Sequence, residues 1–328
     1  MQAGFFITCS EVRMNIMRLS LISFLLLMVL TISGCGQPQT PIRLGTNVWP
    51  GYEPLYLAQE IGQLDNGKIR LIGYPSASEV IRAFRNRSLE AASLTLDEAL
   101  LLLDKGLPIK VVLVHDVSHG ADAILARPDI RQISDLRGKT VAVESSALGA
   151  YVITRALQQS NLGLEAIQIK HLDVSHHEAA YKAGRVDAVV TFEPFNTRLK
   201  ELGAQEIFTS RELPGEIIDV LVVHEDIFKT RLDDLRHLTR SWFAALEYID
   251  AEPQKAAAIM GRRLKVSDEE VLASYQGIEL PTLEQNVAML DDGLAALRKL
   301  AVIMSEHELV SHDLELEQLL NSDALHQD

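Results

Sequence analysis

Between residue 42 and about residue 224 the chain alternates short β-branched runs with stretches of helical period, and this alternation narrows the possible folds more than any other feature. Strands and helices in turn bury their apolar faces by layering helices on a sheet, so the fold class is α/β. Strands are expected at 42–48, 68–72, 91–94, 109–114, 121–126, 140–143, 167–172, 188–191 and 218–223. Helices are expected near 53–62, 76–87, 96–105, 148–160, 176–183 and 194–202. Ser76 and Ser78 ahead of Glu79, and Ser175 three residues ahead of Glu178, supply helix-start signals. From about residue 231 the period is helical with no convincing strand, the pattern of a tail that packs on a finished sheet. The whole stretch, about 290 residues, is long enough for two modest lobes, each with a buried core.

Ahead of this body, Arg13 and Arg18 precede the uncharged apolar run 19–32, which ends in Ile32, Ser33, Gly34 and Cys35. A basic segment, a short apolar segment and small residues make a secretory signal. The run falls short of the roughly 20 apolar residues that cross a bilayer. Residues 1–34 are therefore expected to be a signal peptide, with Met14 a more ordinary start than Met1, because Cys9 and Glu11 precede a normal basic segment. The Ile-Ser-Gly-Cys ending is similar to the bacterial lipobox, which implies that Cys35 takes a diacylglycerol anchor; the plain alternative is an ordinary free thiol. Residues 35–41, polar and containing Pro38 and Pro41, are expected to be the tether. Gly36 is not the acidic residue that retains Gram-negative lipoproteins at the inner membrane, so outer-membrane delivery stays open.

The two cysteines are Cys9 and Cys35, so the body has neither a disulfide nor a cysteine metal site. A net charge of -14 argues against nucleic acid and against an electrostatic membrane surface. It does not argue against an anionic ligand, because a pocket's local field can oppose the global charge.

Three segments, GTNVWPGYEPLYLAQEIG at 45–62, DLRGKTVAVESS at 135–146 and AAYKAGRVDAVVTFEPF at 179–195, carry a resemblance to a known family. In order and spacing the chain resembles the type II periplasmic substrate-binding proteins of ABC importers, within the group handling sulfonates, nitrate and thiamine-pyrimidine precursors. The resemblance implies a two-lobed periplasmic-binding-protein fold with two crossover strands and a helical C-terminal tail. Lobe 1 would take 42–118 plus 218–328 and lobe 2 would take 119–217, with crossovers at 119–124 and 216–220. It implies a monomer without cofactor that binds a small molecule between the lobes and serves an ABC permease, or alternatively a membrane sensor. Open α/β sheets do bind ligands at the carboxyl ends of their strands.

Site residues follow strand end by strand end. Trp49, Pro50, Gly51 and Tyr52 follow the first strand, where glycine permits backbone approach and the rings form an apolar wall; a plain turn with Trp49 in the core is the alternative. Thr95 offers a hydroxyl, and Asp97 is as readily a helix-start acid. Ser145, Ser146 and Ala147 open a helix whose free N–H groups favour an oxyanion, unless the serines only cap it. Glu193 lies at a position that the resemblance puts in the pocket, although a solvent-facing ion pair would suit it equally. Asp219, near the return crossover, is the other carboxylate expected at the cleft. The serines favour an anion, whereas Glu193, Asp219, Trp49 and Tyr52 favour a cation or an amine, and a zwitterion would satisfy both.

Competing chemistry finds less support. His115 and His119, and the group His171, His176 and His177, suggest a metal, but the first pair sits on a strand end and loop, where spacing by four does not bring side chains together. No metal site is expected. G-x-S-x-G, P-loop and H-E-x-x-H motifs are absent, and so is the cysteine-rich motif of the thiamine-pyrimidine synthases that share the fold, so no enzyme activity is expected.

Overall fold

The structure, a computed structural model, describes residues 39–144, 146–311 and 313–326. The signal segment with Met14, and Cys35, Gly36 and Ser145, lie outside the described residues. The chain divides into two compact units, residues 1–40 and Pro41–Asp328, and the second holds every element below.

In chain order the elements are β1 (Ile42–Thr46), α1 (Glu53–Glu60), β2 (Ile69–Gly73), α2 (Ala77–Arg85), β3 (Ala91–Thr95), α3 (Leu96–Asp104) and β4 (Ile109–Ser118). Then come β5 (Asp122–Ala126), β6 (Thr140–Val143), α4 (Ala147–Gln159), β7 (Gln168–His171), α5 (His177–Lys182), β8 (Ala188–Phe192), α6 (Phe195–Glu201) and β9 (Gln205–Thr209). The remainder is β10 (Ile218–His224), α7 (Glu225–Thr230), α8 (Leu232–Ala251), α9 (Pro253–Leu264), α10 (Asp268–Ser274), β11 (Ile278–Glu279), α11 (Leu283–Asp291) and α12 (Leu294–Glu306).

These form two mixed sheets, ordered β11-β4-β10-β3-β1-β2 and β7-β6-β8-β5-β9, each the centre of one lobe. The parallel pairs β1/β2 and β1/β3 belong to consecutive strand-helix-strand units, while β10 returns antiparallel between β3 and β4. The chain passes from first sheet to second between β4 and β5, and back between β9 and β10. Along β5 the side chains alternate, Ile124 and Ala126 joining one core and Ala123 and Leu125 the core on the opposite face. The first lobe has a larger core in which Trp242 of α8 is fully buried beside the His115 ring.

Three departures from expectation have local causes. β9 was not anticipated, because Gln205 and Glu206 are exposed and only Phe208 and Thr209 are buried, leaving no alternation to read. The helical tail does contain a strand, β11, but it is two residues long, pairing Ile278 with Ser118 and Glu279 with Val117. β4 runs past residue 114 to Ser118 through His115 and Asp116, a polar pair that reads as a strand end yet is buried.

That extension carries a bulge. Asp219 of β10 pairs with Asp116 and the next residue, Val220, pairs with Val114, so His115 is the extra residue. On its other edge Asp219 pairs with Thr95. Thr95, Asp219 and Asp116 thus form one row across three strands. Asn286 of α11, fully buried, clamps the bulge: its Oδ1 accepts from the Val114 N–H at 2.7 Å and its Nδ2 donates to the Val114 carbonyl at 2.9 Å. Replacing Asn286 by Ala leaves both backbone groups unpaired in the interior, each worth about 1–3 kcal/mol. Urea denaturation of Asn286→Ala should show a loss of about 2–4 kcal/mol; an unchanged midpoint would mean that the clamp contributes nothing.

Candidate functional site

A narrow cavity lies where the carboxyl ends of the two sheets meet. Asn47, Trp49, Tyr52, Ala77, Thr95, Glu98 and Asp219 line it from the first lobe, and Asp122, Ser146, Leu148 and Phe192 from the second. The starts of α1, α2, α3 and α4 all reach it, through Tyr52, Ala77, Thr95 and Ser146.

Trp49 and Phe192 meet edge to face with centroids 5.7 Å apart, and Phe192 meets Phe195 in the same way, so one apolar cluster draws on both lobes. Both donors in this aromatic group are committed to carboxylates. The Trp49 indole N–H donates to Asp116 Oδ2 at 3.1 Å, and the Tyr52 hydroxyl donates to Asp219 Oδ1. Gly51 explains the first of these contacts, because a Cβ there would lie 2.0 Å from Asp116 Oδ2 and 2.3 Å from Trp49 Nε1. The close approach that glycine permits is therefore to Asp116 and Trp49.

Five carboxylates, Asp97, Glu98, Asp116, Asp122 and Asp219, are buried at or directly behind the cavity wall. Among the described lining residues none is Lys, Arg or His. Burial pushes the Asp122 carboxyl up to about 7 against the opposing effect of the Ser118 hydroxyl, and the Asp97 and Glu193 charges push the same way as burial. Burial and the charge of Asp116 push Asp219 well above the carboxylate range, and burial with the charge of Asp97 pushes Glu98 up. His115, bonded to the Ser93 hydroxyl at 3.0 Å, is held neutral by burial, its pKa lowered to about 3.

Of the residues expected at the site, Trp49, Tyr52, Thr95, Ser146 and Asp219 line the cavity. Ser146 occupies the N-cap of α4 but makes no side-chain capping bond, and α4 has no acid in its first turn. Ala147 begins α4. Gly51 sits behind Trp49, away from the lining residues. Glu193 is also outside the lining; its carboxylate accepts from the Thr197 N–H at 3.3 Å and hydroxyl at 3.0 Å, capping the start of α6. Sequence reasoning missed Asn47, Ala77, Glu98, Asp122, Leu148 and Phe192. Glu98 reads as an ordinary capping-box acid, and it does accept from the Thr95 N–H at 3.1 Å. Asp122 could have been found as an acid opening a strand directly after the first crossover, and Phe192 as the residue ending β8 beside Glu193.

Of the histidines considered as metal ligands, His115 is fully buried beside Trp242 and His177 is buried with its Nε2 3.0 Å from the Leu172 carbonyl. Among the described residues no group of three or more potential ligands stands together.

Comparison with known proteins gives a consistent family picture. The model of the NMT1-like family matches residues 36–263. A putative binding protein of Brucella abortus (strain 2308) is 21% identical over 192 residues, 56% of this chain and 59% of that protein, so the chain matches little more than half of that relative's length. The taurine-binding periplasmic protein of Escherichia coli (strain K12) is 22% identical over 218 residues, 63% of this chain and 68% of that one. Among solved structures, the alkanesulfonate-binding protein SsuA from Xanthomonas axonopodis pv. citri bound to MOPS superposes with TM-score 0.73 at 16% identity, covering 86% of this chain and 98% of that one. A desulfurization enzyme superposes at TM-score 0.66 and 17% identity, covering 86% and 97%. At these identities the likeness is one of fold, which binding proteins and at least one enzyme share.

The buried acids make stability depend on pH in a definite direction. Unfolded, Asp122 ionises near its ordinary 3.8; folded, near 7. Between those values the folded chain holds the extra proton, so stability is full at the acid end, falls as pH rises through the window, and levels off above it. Asp122→Asn removes this proton requirement. Calorimetry at about pH 5 and about pH 8 should show the melting temperature of the unmodified, ligand-free chain dropping more than that of the variant. A melting temperature that rises over this window in the unmodified chain would contradict the assignment.

Proposed function

Because the chain belongs to the NMT1-like family, we propose that it is a solute-binding protein working outside the cytoplasm, held to a membrane through Cys35, which delivers a small polar solute to an ABC importer. The observation that carries this reading is the cavity itself, walled by both lobes at the carboxyl ends of their sheets. Trp49, Tyr52, Thr95 and Asp219 would receive the solute from one side and Ser146 from the other. The binding names of the taurine and alkanesulfonate relatives support solute capture as the activity.

Closure has candidate parts. Glu144, ending β6 in the second lobe, accepts from the Ser78 N–H at 3.0 Å and the Ser78 hydroxyl at 3.2 Å at the start of α2 in the first. This is a carboxylate on a helix N-terminus, reached across the cleft. On the far side, Glu216 at the return crossover accepts from the Tyr151 hydroxyl at 2.6 Å and from Arg155 at 2.9 and 3.0 Å. Tyr151 belongs to α4 of the second lobe yet is fully buried in the first lobe's core, an anchor about which the lobes would turn. A solute bridging both walls would stabilise the closed form by its differential affinity.

A thermal-shift screen of the full chain over sulfonates, nitrate, amino acids, polyamines and pyrimidines should yield a solute whose stabilisation is lost in Trp49→Ala. For that solute Glu144→Ala should weaken binding roughly tenfold or more, the worth of hydrogen bonds to a charged group. Stabilisation unchanged in both Trp49→Ala and Ser146→Ala would rule out this cleft as the site.

A further inference from the structure

The charges at the cavity go further than solute capture in general. We propose that the solute carries a positive charge, a protonated amine or amidinium nitrogen seated against Asp122 and Asp219 with its carbon frame on the Trp49, Tyr52 and Phe192 rings; this rests on the solute-binding reading above.

The first ground is what the site has already spent. An oxyanion needs donors, yet the Trp49 N–H is bound to Asp116, the Tyr52 O–H to Asp219, the Thr95 N–H to Glu98 and the Ser78 N–H to Glu144, which leaves the Thr95 hydroxyl as a lining donor with no partner. At the cavity-facing starts of α2 and α3 the protein's own carboxylates thus occupy the place an anionic ligand would take. Glu53, buried in the first turn of α1, adds another acid, which Arg263 neutralises from 3.4 Å. Of these four helices only α4 starts without an acid in its first turn, and Glu98 lines the same cavity as its N-cap residue Ser146.

The second ground is what remains unsatisfied. Asp122, 3% exposed, is one of the residues lining the cavity, and its buried Oδ2 has no hydrogen-bond partner. A buried polar atom in that state is costly unless a partner arrives. A cation with N–H groups supplies it, and the same positive charge relieves the repulsion between Asp116 and Asp219, which sit opposite each other on β4 and β10. Three aromatic rings beside three lining carboxylates offer cation-π and charge-assisted contacts together, the combination that recognises organic cations. A sulfonate in the same position would meet acceptor oxygens on Glu98, Asp122 and Asp219 with no lysine or arginine among the described lining residues.

The test pairs probes of like shape and opposite charge: benzylamine and benzamidine against benzenesulfonate and nitrate, added to the purified full chain at neutral pH. Binding is followed by calorimetry and by the fluorescence of Trp49, with Trp49→Phe as the control for the other tryptophan. The expected result is saturable binding of at least one cation, about tenfold or more tighter than benzenesulfonate, and about tenfold weakened in Asp122→Asn. Glu98→Gln serves as a second variant should Asp122→Asn fail to fold. Tighter binding of benzenesulfonate or nitrate at the Trp49 ring overturns the charge assignment and leaves solute capture standing. No response to any of the four also overturns the charge assignment, and solute capture is then judged by the broader screen alone.

Discussion

Asp116 and Asp219 occupy opposed positions on neighbouring strands in the interior, with Asp97, Glu98 and Asp122 close enough for their charges to act on one another, and no basic residue among those described lines the cavity they border. A sheet would ordinarily avoid like charges at directly opposed positions. Here the bulge at His115 and the Asn286 clamp fix the register that brings them together, and the row Thr95–Asp219–Asp116 follows from it. Much else at the cleft answers to that row: the Tyr52 hydroxyl and Trp49 indole turn inward to it, and position 51 must be glycine to let them.

The consequence is a site in which the indole and phenol donors are committed to carboxylates while oxygens of Glu98, Asp116 and Asp122 are left without partners. Protonation is the means by which the cleft tolerates this, since burial holds the acids above their ordinary range. A ligand that brings its own positive charge replaces those protons. On the proposed reading, the energetic cost of assembling the acids and the selectivity of the cleft have one source, as is expected where local packing rules are violated for binding.

Periodicity made the scaffold legible. Nine of the strands and the first six helices fall close to where β-branched runs and capping signals put them, because most of these strands bury at least one face and each helix has an apolar stripe; β7, with Gln168, Ile169 and His171 exposed, is the exception. The strands that escaped lack that signature: β9 begins with exposed Gln205 and Glu206, and β11 is an edge pairing of two residues. The cleft was legible only in part, for a physical reason. Trp49 and Tyr52 announce themselves as aromatics in a Gly-Pro turn, but Asp116, Asp122 and Glu98 are placed by register, crossover and capping geometry, none of which residue type encodes. Glu193 shows the converse, an acid at a suggestive position whose carboxylate is taken up by Thr197.

Proton exchange on binding tests the central claim most directly. Around Asp122 and Asp219 the titrating neighbours are Tyr52, Asp97, Glu98, Asp116 and Glu193, all pushed up by burial. A cation entering among them favours their ionised forms and must release protons. Calorimetric titration with benzylamine, repeated in buffers of different ionisation enthalpy at neutral pH, should reveal net proton release that is reduced in Asp122→Asn. Net proton uptake on binding, or none, would contradict the account.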